Sequence, residues 1–380
     1  MRKEHTIMKR FLPLLLVLIL LLSACAPAQG PVEDPVDPPN SDSSQNSENN
    51  DPEPDPNPDP EPDPEPELNY VHPLTGEKLE TPYLGRPVAV MLNNIKQAMP
   101  QHGVSQADIL YEVLAEGGIT RCMGIFSDIA AVEKVGSIRS ARKYYVQLAQ
   151  GYNALYVHFG GSNEALNYLK NIKWHEMDGM KGDKCFVQDK DRLKNGYSSE
   201  HTWFAVGSGI LDYATRLNFP TSYEQEKTYG MTFSETLLVG QPVNKVKVYF
   251  NWGSTPSGKA TTLTYDETTK NYFAFQSGGN HGSGGDYIDG NTKETISFRN
   301  VVVLRASTSI QSDGSLLTVE TTGSGTGYFA CNGQMLPIKW SRASVNEPFS
   351  FTLENGNPLT FATGKTYIAV VPTAAAVVFE

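Results

Sequence analysis

The chain has 380 residues and a formal net charge of −11, spread unevenly. Residues 1–25 carry +3, residues 26–68 carry −13, and the remaining 312 residues hold 27 basic and 28 acidic side chains. So neutral a main body lacks the basic footprint that a nucleic-acid binder uses to displace counterions. A single long apolar run excludes a polytopic membrane protein.

Lys9-Arg10 precede that run, which extends from Phe11 to Leu22. As a helix it rises only about 18 Å, short of the roughly 30 Å hydrocarbon layer. A basic start, an apolar middle and small residues form a secretory signal over residues 1–25. The run ends Leu22-Ser23-Ala24-Cys25, which resembles a bacterial lipobox. The resemblance implies lipidation of Cys25 and partnership with the membrane through that anchor. The plain alternative is a secretory signal with an unmodified Cys25. Residues 26–68 follow, with 13 of the 25 prolines and 13 acidic side chains. Such a composition buries too little apolar area to offset its ordering entropy. It reads as a disordered acidic spacer, able to reach on the order of 130 Å when extended.

The composition then becomes globular, and about 310 residues usually divide into two domains. Arg86 to Met91 reads as a buried strand. Ser105 and Asp108 are placed to cap a helix running through Glu112. Gly117-Gly118 break it, and Ile119 to Phe126 is a second strand. Ser140 to Gln150 has helical spacing. Ala154 to Phe159 is a strand, followed by Gly160-Gly161 and a helix from Ser162 to about Lys170. Trp203 to Leu217 is read as helix. Beyond residue 240 the pattern alternates, as in Val243 to Trp252 and Tyr272 to Phe275, with further strands over Thr295–Arg305, Leu316–Thr321, Gly327–Cys331 and Tyr367–Val371. The fold class expected is α+β: a mixed α/β domain over 69–238 and a mostly β domain over 239–380.

Cys122, Cys185 and Cys331 allow at most one disulfide. The seven histidines show no metal spacing, and no metal or cofactor is expected. Ser277 to Asp286 is rich in glycine without a P-loop ending and reads as a mobile hairpin loop.

Polar residues concentrate between Asp108 and Arg142. On a helix, Glu112 and Glu116 would share one face. Arg139 and Arg142 flank Ser140-Ala141 at a predicted helix start, where free N–H groups and paired guanidinium forks suit an anion. Arg121, Arg139, Ser140 and Arg142 are therefore the candidate ligand-binding residues. The competing reading pairs the two arginines internally with Glu112, Glu116 or Asp128. Ser140-Ala141-Arg142-Lys143 matches the S-x-x-K nucleophile pattern, but the partner motifs are missing. His158 ends a strand before a Gly-Gly turn, a common site location. It joins Glu112 and Glu116 as a catalytic candidate, against the reading of a satisfied semi-buried histidine.

Several separated segments resemble one family. His72-Pro73-Leu74-Thr75-Gly76, RPVAVMLNN (86–94), SQADILYEVLAEGGITR (105–121), VGSIRSAR (135–142) and ALYVHFGGS (154–162) are similar to YerB-type bacterial lipoproteins. Arg299-Asn300-Val301-Val302-Val303 and Gly364-Lys365-Thr366-Tyr367 match more loosely. The resemblance implies an envelope location and two domains of unknown function, and supplies no reaction. The expectation is an extracytoplasmic, membrane-anchored lipoprotein that binds an anionic or polar envelope component, a cell-wall polymer or an envelope protein. The alternative is a hydrolase or transferase acting on wall glycans or phosphate-linked precursors.

Overall fold

Val88–Leu92, Ile109–Leu114, Thr120–Phe126 and Thr366–Pro372 are each buried along their whole length. A strand covered on both faces is apolar throughout rather than alternating. These four lie side by side at the middle of one eleven-stranded sheet. The computed structural model describes residues 67–380 apart from Leu237, Asp313 and Ser315, so the expected leader, Cys25 and nearly all of the spacer lie outside the described residues.

On one side the sheet continues through Leu155–His158 and Glu176–Asp178, both parallel to Val88–Leu92. On the other side Asn300–Ala306 runs parallel to Thr366–Pro372, followed by antiparallel Gly323–Cys331 and Gln334–Arg342. The four α-helices among the described residues all precede residue 217: α1 (Lys143–Gln150), α2 (Asn163–Ile172), α3 (Lys190–Lys194) and α4 (Gly207–Arg216). The C-terminal part is mostly β, so the fold is α+β, as the alternation pattern implies. A second sheet contains Lys245–Tyr249, Ala260–Asp266 and Asn271–Ser277. Asn271–Ser277 buries every second side chain, because only one face of this sheet meets the core.

The seam between the two sequence halves is the parallel pairing of Ile109–Leu114 with Thr366–Pro372, in register Ile109 with Thr366 and Glu112 with Ala369. Glu112 is 1% exposed, and so is Lys259, which immediately precedes the second sheet's strand Ala260–Asp266. Their ion pair spans 3.0 Å. Four more groups donate to the carboxylate: Asn94 Nδ2 at 2.9 Å, Thr120 Oγ1 at 2.7 Å, Thr261 Oγ1 at 2.8 Å and Tyr367 OH at 2.7 Å. Burial opposes ionisation of Glu112. The Lys259 charge and the hydroxyl donors outweigh it and hold the carboxyl below its ordinary value.

Some sequence expectations are corrected here. The segment expected to be a helix through Glu112 is a 3-10 turn, Val104–Gln106, followed by a strand. Ile109, Leu110, Tyr111 and Val113 fit a pleated, buried surface, and Glu112 is tolerated among them because Lys259 and four donors meet it. Asp108 caps no helix; its Oδ2 accepts from the Ser127 amide at 2.6 Å. Trp203 to Leu217 begins as a strand, Trp203–Ala205, before α4. The glycine-rich loop is anchored: His281 is buried, and its Nε2 lies 3.0 Å from Asn94 O. The three thiols Cys122, Cys185 and Cys331 are buried and free.

Removing one partner of a buried pair strands the other charge. Lys259→Met is therefore expected to lower unfolding free energy by about 3–5 kcal/mol, read from denaturant midpoints. Because the folded Glu112 carboxyl titrates below its ordinary value of 4.5, its contribution is present above that pH and disappears as the pH falls through the folded value. A Glu112→Gln chain should accordingly lose less stability than wild type on acidification from pH 6 to 3. Parallel pH–stability curves would contradict this.

Candidate functional site

The arginine cluster assembles, and it is largely closed on itself. Glu116 lies in the turn Glu116–Gly118, just past the strand that holds Glu112. Arg142, at the N-cap of α1, grips it with both arms, Nε to Oε1 at 2.7 Å and Nη2 to Oε2 at 3.0 Å. The remaining arm, Nη1, donates to Ala141 O at 2.8 Å. Arg121 adds a contact to Glu116 Oε2 at 3.6 Å and donates to Ser140 O at 2.9 Å. Burial and the neighbouring Arg142 charge push the Arg121 guanidinium down to about 10, which leaves it charged at neutral pH. Partial burial of Glu116 is outweighed by the Arg142 fork and by Arg121, so its carboxyl sits below the usual range. Internal pairing is thus what the geometry favours for Arg121 and Arg142. Arg139 is held more loosely, 3.8 Å from a Glu200 carboxylate oxygen.

The catalytic candidates separate. Glu112 is sealed in the seam, so it and Glu116 share no helix face. His158 is fully buried, its Nδ1 2.8 Å from Gly160 O and its Nε2 3.0 Å from Glu176 Oε2. Both ring nitrogens are taken, as a structural histidine requires. Lys143 pairs with Glu164 at 3.3 Å, which draws it away from the role that S-x-x-K would give it beside Ser140. Among the described residues no group of three His, Cys, Asp or Glu is arranged to hold a metal ion.

Open space lies elsewhere. One cleft of about 650 Å³ is lined by six hydroxyl side chains, including Ser105, Thr295 and Ser297, with Lys270, Arg299 and Lys365. A neighbouring cleft of about 640 Å³ is lined by Lys78, Phe233 and Ser234 among others, and shares Lys270, Arg299 and Thr363 with the first. Each is of the size that holds a small ligand or a short stretch of polymer.

The chain builds this groove from segments far apart in sequence. Lys270 sits in the turn between two antiparallel strands, at φ 58°. Arg299 Nη1 donates to Lys270 O at 2.6 Å, which ties the guanidinium to that turn. Gly364 has φ 134°, and a Cβ there would stand 2.8 Å from Arg299 Cβ, so glycine leaves room for the arginine stem. The next residue, Lys365, turns its Nζ onto Ser105 O. Asp289, fully buried, accepts from the amides of Gly103 at 3.2 Å, Ser105 at 2.8 Å and Asn291 at 2.7 Å. It thereby clamps the Ser105 turn to the loop before Thr292 and Thr295. On the far side Thr363 Oγ1 donates to Gly76 O at 3.4 Å. Among the described residues, Lys78, Lys270, Arg299 and Lys365 make no ion pair within 4.0 Å.

No local spacing joins positions 105, 270, 299 and 365, so sequence reasoning on the arginine cluster missed them. The available signal was the resemblance itself. His72–Gly76, Ser105–Asp108, Arg299-Asn300 and Gly364–Thr366 all belong to the segments that carry it, and all four converge here.

Comparison with known proteins bears on the family. Residues 74–219 match the N-terminal domain, and residues 248–368 the C-terminal domain, of a protein family of unknown function, DUF3048. The chain is 28% identical over 303 residues to the putative lipoprotein YerB of Bacillus subtilis (strain 168), covering 79% of this chain and 86% of that protein. The crystal structure of YerB from Bacillus subtilis superposes with a TM-score of 0.69 over 81% of this chain and 99% of that one.

If Glu116 and Arg142 form a structural clasp, Arg142→Ala should lower unfolding free energy by about 1–3 kcal/mol, because a half-buried carboxylate loses a bidentate partner. Thermal and denaturant melts check this, and an unchanged midpoint would remove the clasp.

Proposed function

The chain belongs to the DUF3048 family of YerB-type proteins, and on that premise we propose that it is a lipid-anchored, extracytoplasmic binding or accessory module of the cell envelope. The lipobox-like Leu22–Cys25 and the name of the Bacillus relative support the anchor. The ligand is an anionic or polar envelope component such as a wall polymer. The observation that carries this reading is the groove around Lys270, Arg299 and Lys365: cations in no close ion pair among the described residues, beside hydroxyl side chains. That combination recognises a hydrated, anionic or hydroxyl-rich chain through directed hydrogen bonds and screened attraction. The Arg121, Arg139, Ser140 and Arg142 cluster is the rival place for the same ligand, and Arg139 is its freest member. The enzymatic alternative relies on Glu112 and Glu116 as acid and base, and the ion pairs of both carboxylates oppose it.

Co-sedimentation of the purified full-length protein with isolated wall polymer tests the proposal. Binding should weaken as salt rises and fall by about tenfold in Lys270→Gln/Arg299→Gln, as expected for two exposed charge contacts. Arg139→Ala should leave it unchanged. Absence of binding to every wall fraction, or binding lost through Arg139→Ala alone, would overturn it.

A further inference from the structure

The placement of charge in the groove says more about its guest. Two cations, Lys270 and Arg299, stand in the wall common to both clefts. Away from that boundary the lining changes character. The first cleft carries carboxylates, Glu77 and Glu294, among its hydroxyls and amides, and no aromatic ring lines it. The second carries Glu235 beside Ser234. Lys365 lines the first cleft, but its Nζ is already engaged by Ser105 O. A chain charged at every unit would set anions against Glu77, Glu294 and Glu235, and like charges repel. Hydroxyl groups suit those same positions, since a carboxylate accepts hydrogen bonds from alcohols.

We infer that the groove takes a hydroxyl-rich chain around one internal anionic link of the phosphodiester type, with the link at Lys270 and Arg299 and a polyol or sugar unit in each cleft. This rests on the proposed binding function and names the ligand class for that site. Arg299 suits the link because Nη1 is fixed on Lys270 O, so its other N–H groups are oriented without further loss of rotamer freedom. Its stem passes over Gly364, where any larger residue would displace it.

Calorimetric titration of the full-length protein with three probes separates the outcomes: glycerophosphoglycerol, which has one phosphodiester between two polyols; inorganic phosphate, the anion alone; and triglycerol, a neutral polyol of similar length. Glycerophosphoglycerol should bind at least about tenfold tighter than either of the others. Arg299→Gln should abolish that preference with an unchanged melting temperature. Lys270→Gln, a change in an exposed turn, should weaken the phosphodiester alone and serves if Arg299→Gln does not fold. Equal binding of triglycerol, insensitive to both substitutions, would overturn the anionic link while leaving a polar-polymer site standing. Equal binding of inorganic phosphate would overturn the flanking polyol subsites. If none of the probes binds, the inference is overturned, and the wall-polymer assay decides the broader reading separately.

Discussion

One buried carboxylate fixes how the two halves of this chain meet. Glu112 lies in a strand covered on both faces, and a charge there is tolerable only because Lys259 and four hydrogen-bond donors reach it from other elements. Asn94 and Thr120 come from the first half; Thr261, Lys259 and Tyr367 come from the second. A shift of one residue in the pairing of Ile109–Leu114 with Thr366–Pro372 would turn Tyr367 away and leave the charge under-compensated. The network therefore acts as a register device, the best-attested use of a buried polar centre.

The groove follows from that register. Tyr367 is bound to Glu112, and Thr366 N donates to Asp108 O at 2.9 Å. Gly364 and Lys365 precede them immediately, so they are delivered over the Ser105 turn. Asn300, which opens the adjacent parallel strand, and Arg299 just before it both donate backbone N–H groups to Lys365 O. An interaction deep in the core thus sets the position of cations at the surface. The function proposed for the surface depends on a seam that never touches solvent.

This layout explains what could be read from the chain. Val88–Leu92 and Leu155–His158 were legible because continuous apolar runs between glycine or polar breaks have one good interpretation, and α2 because Ser162 caps it, accepting from the Ala165 amide at 3.2 Å. Ile109–Leu114 reads as helix in the sequence because Ser105 and Asp108 are cap-type residues ahead of it, while the reason for a glutamate in a buried strand lies 147 residues away at Lys259. Arg121 and Arg142 meet around Glu116. Their internal pairing depends on a turn that periodicity does not describe. The groove was illegible residue by residue, because sheet topology alone brings Ser105, Lys270, Arg299 and Lys365 together.

The central claim is that the proposed envelope ligand meets the protein at this groove rather than at the arginine cluster. Hydrogen–deuterium exchange of the full-length protein, with and without purified wall polymer, distinguishes the two surfaces in one measurement. The account predicts slowed exchange in segments 103–106, 268–271, 292–299 and 363–366, with 116–142 unaltered. Protection confined to 116–142 and 199–202, or none anywhere at saturating polymer, would contradict it.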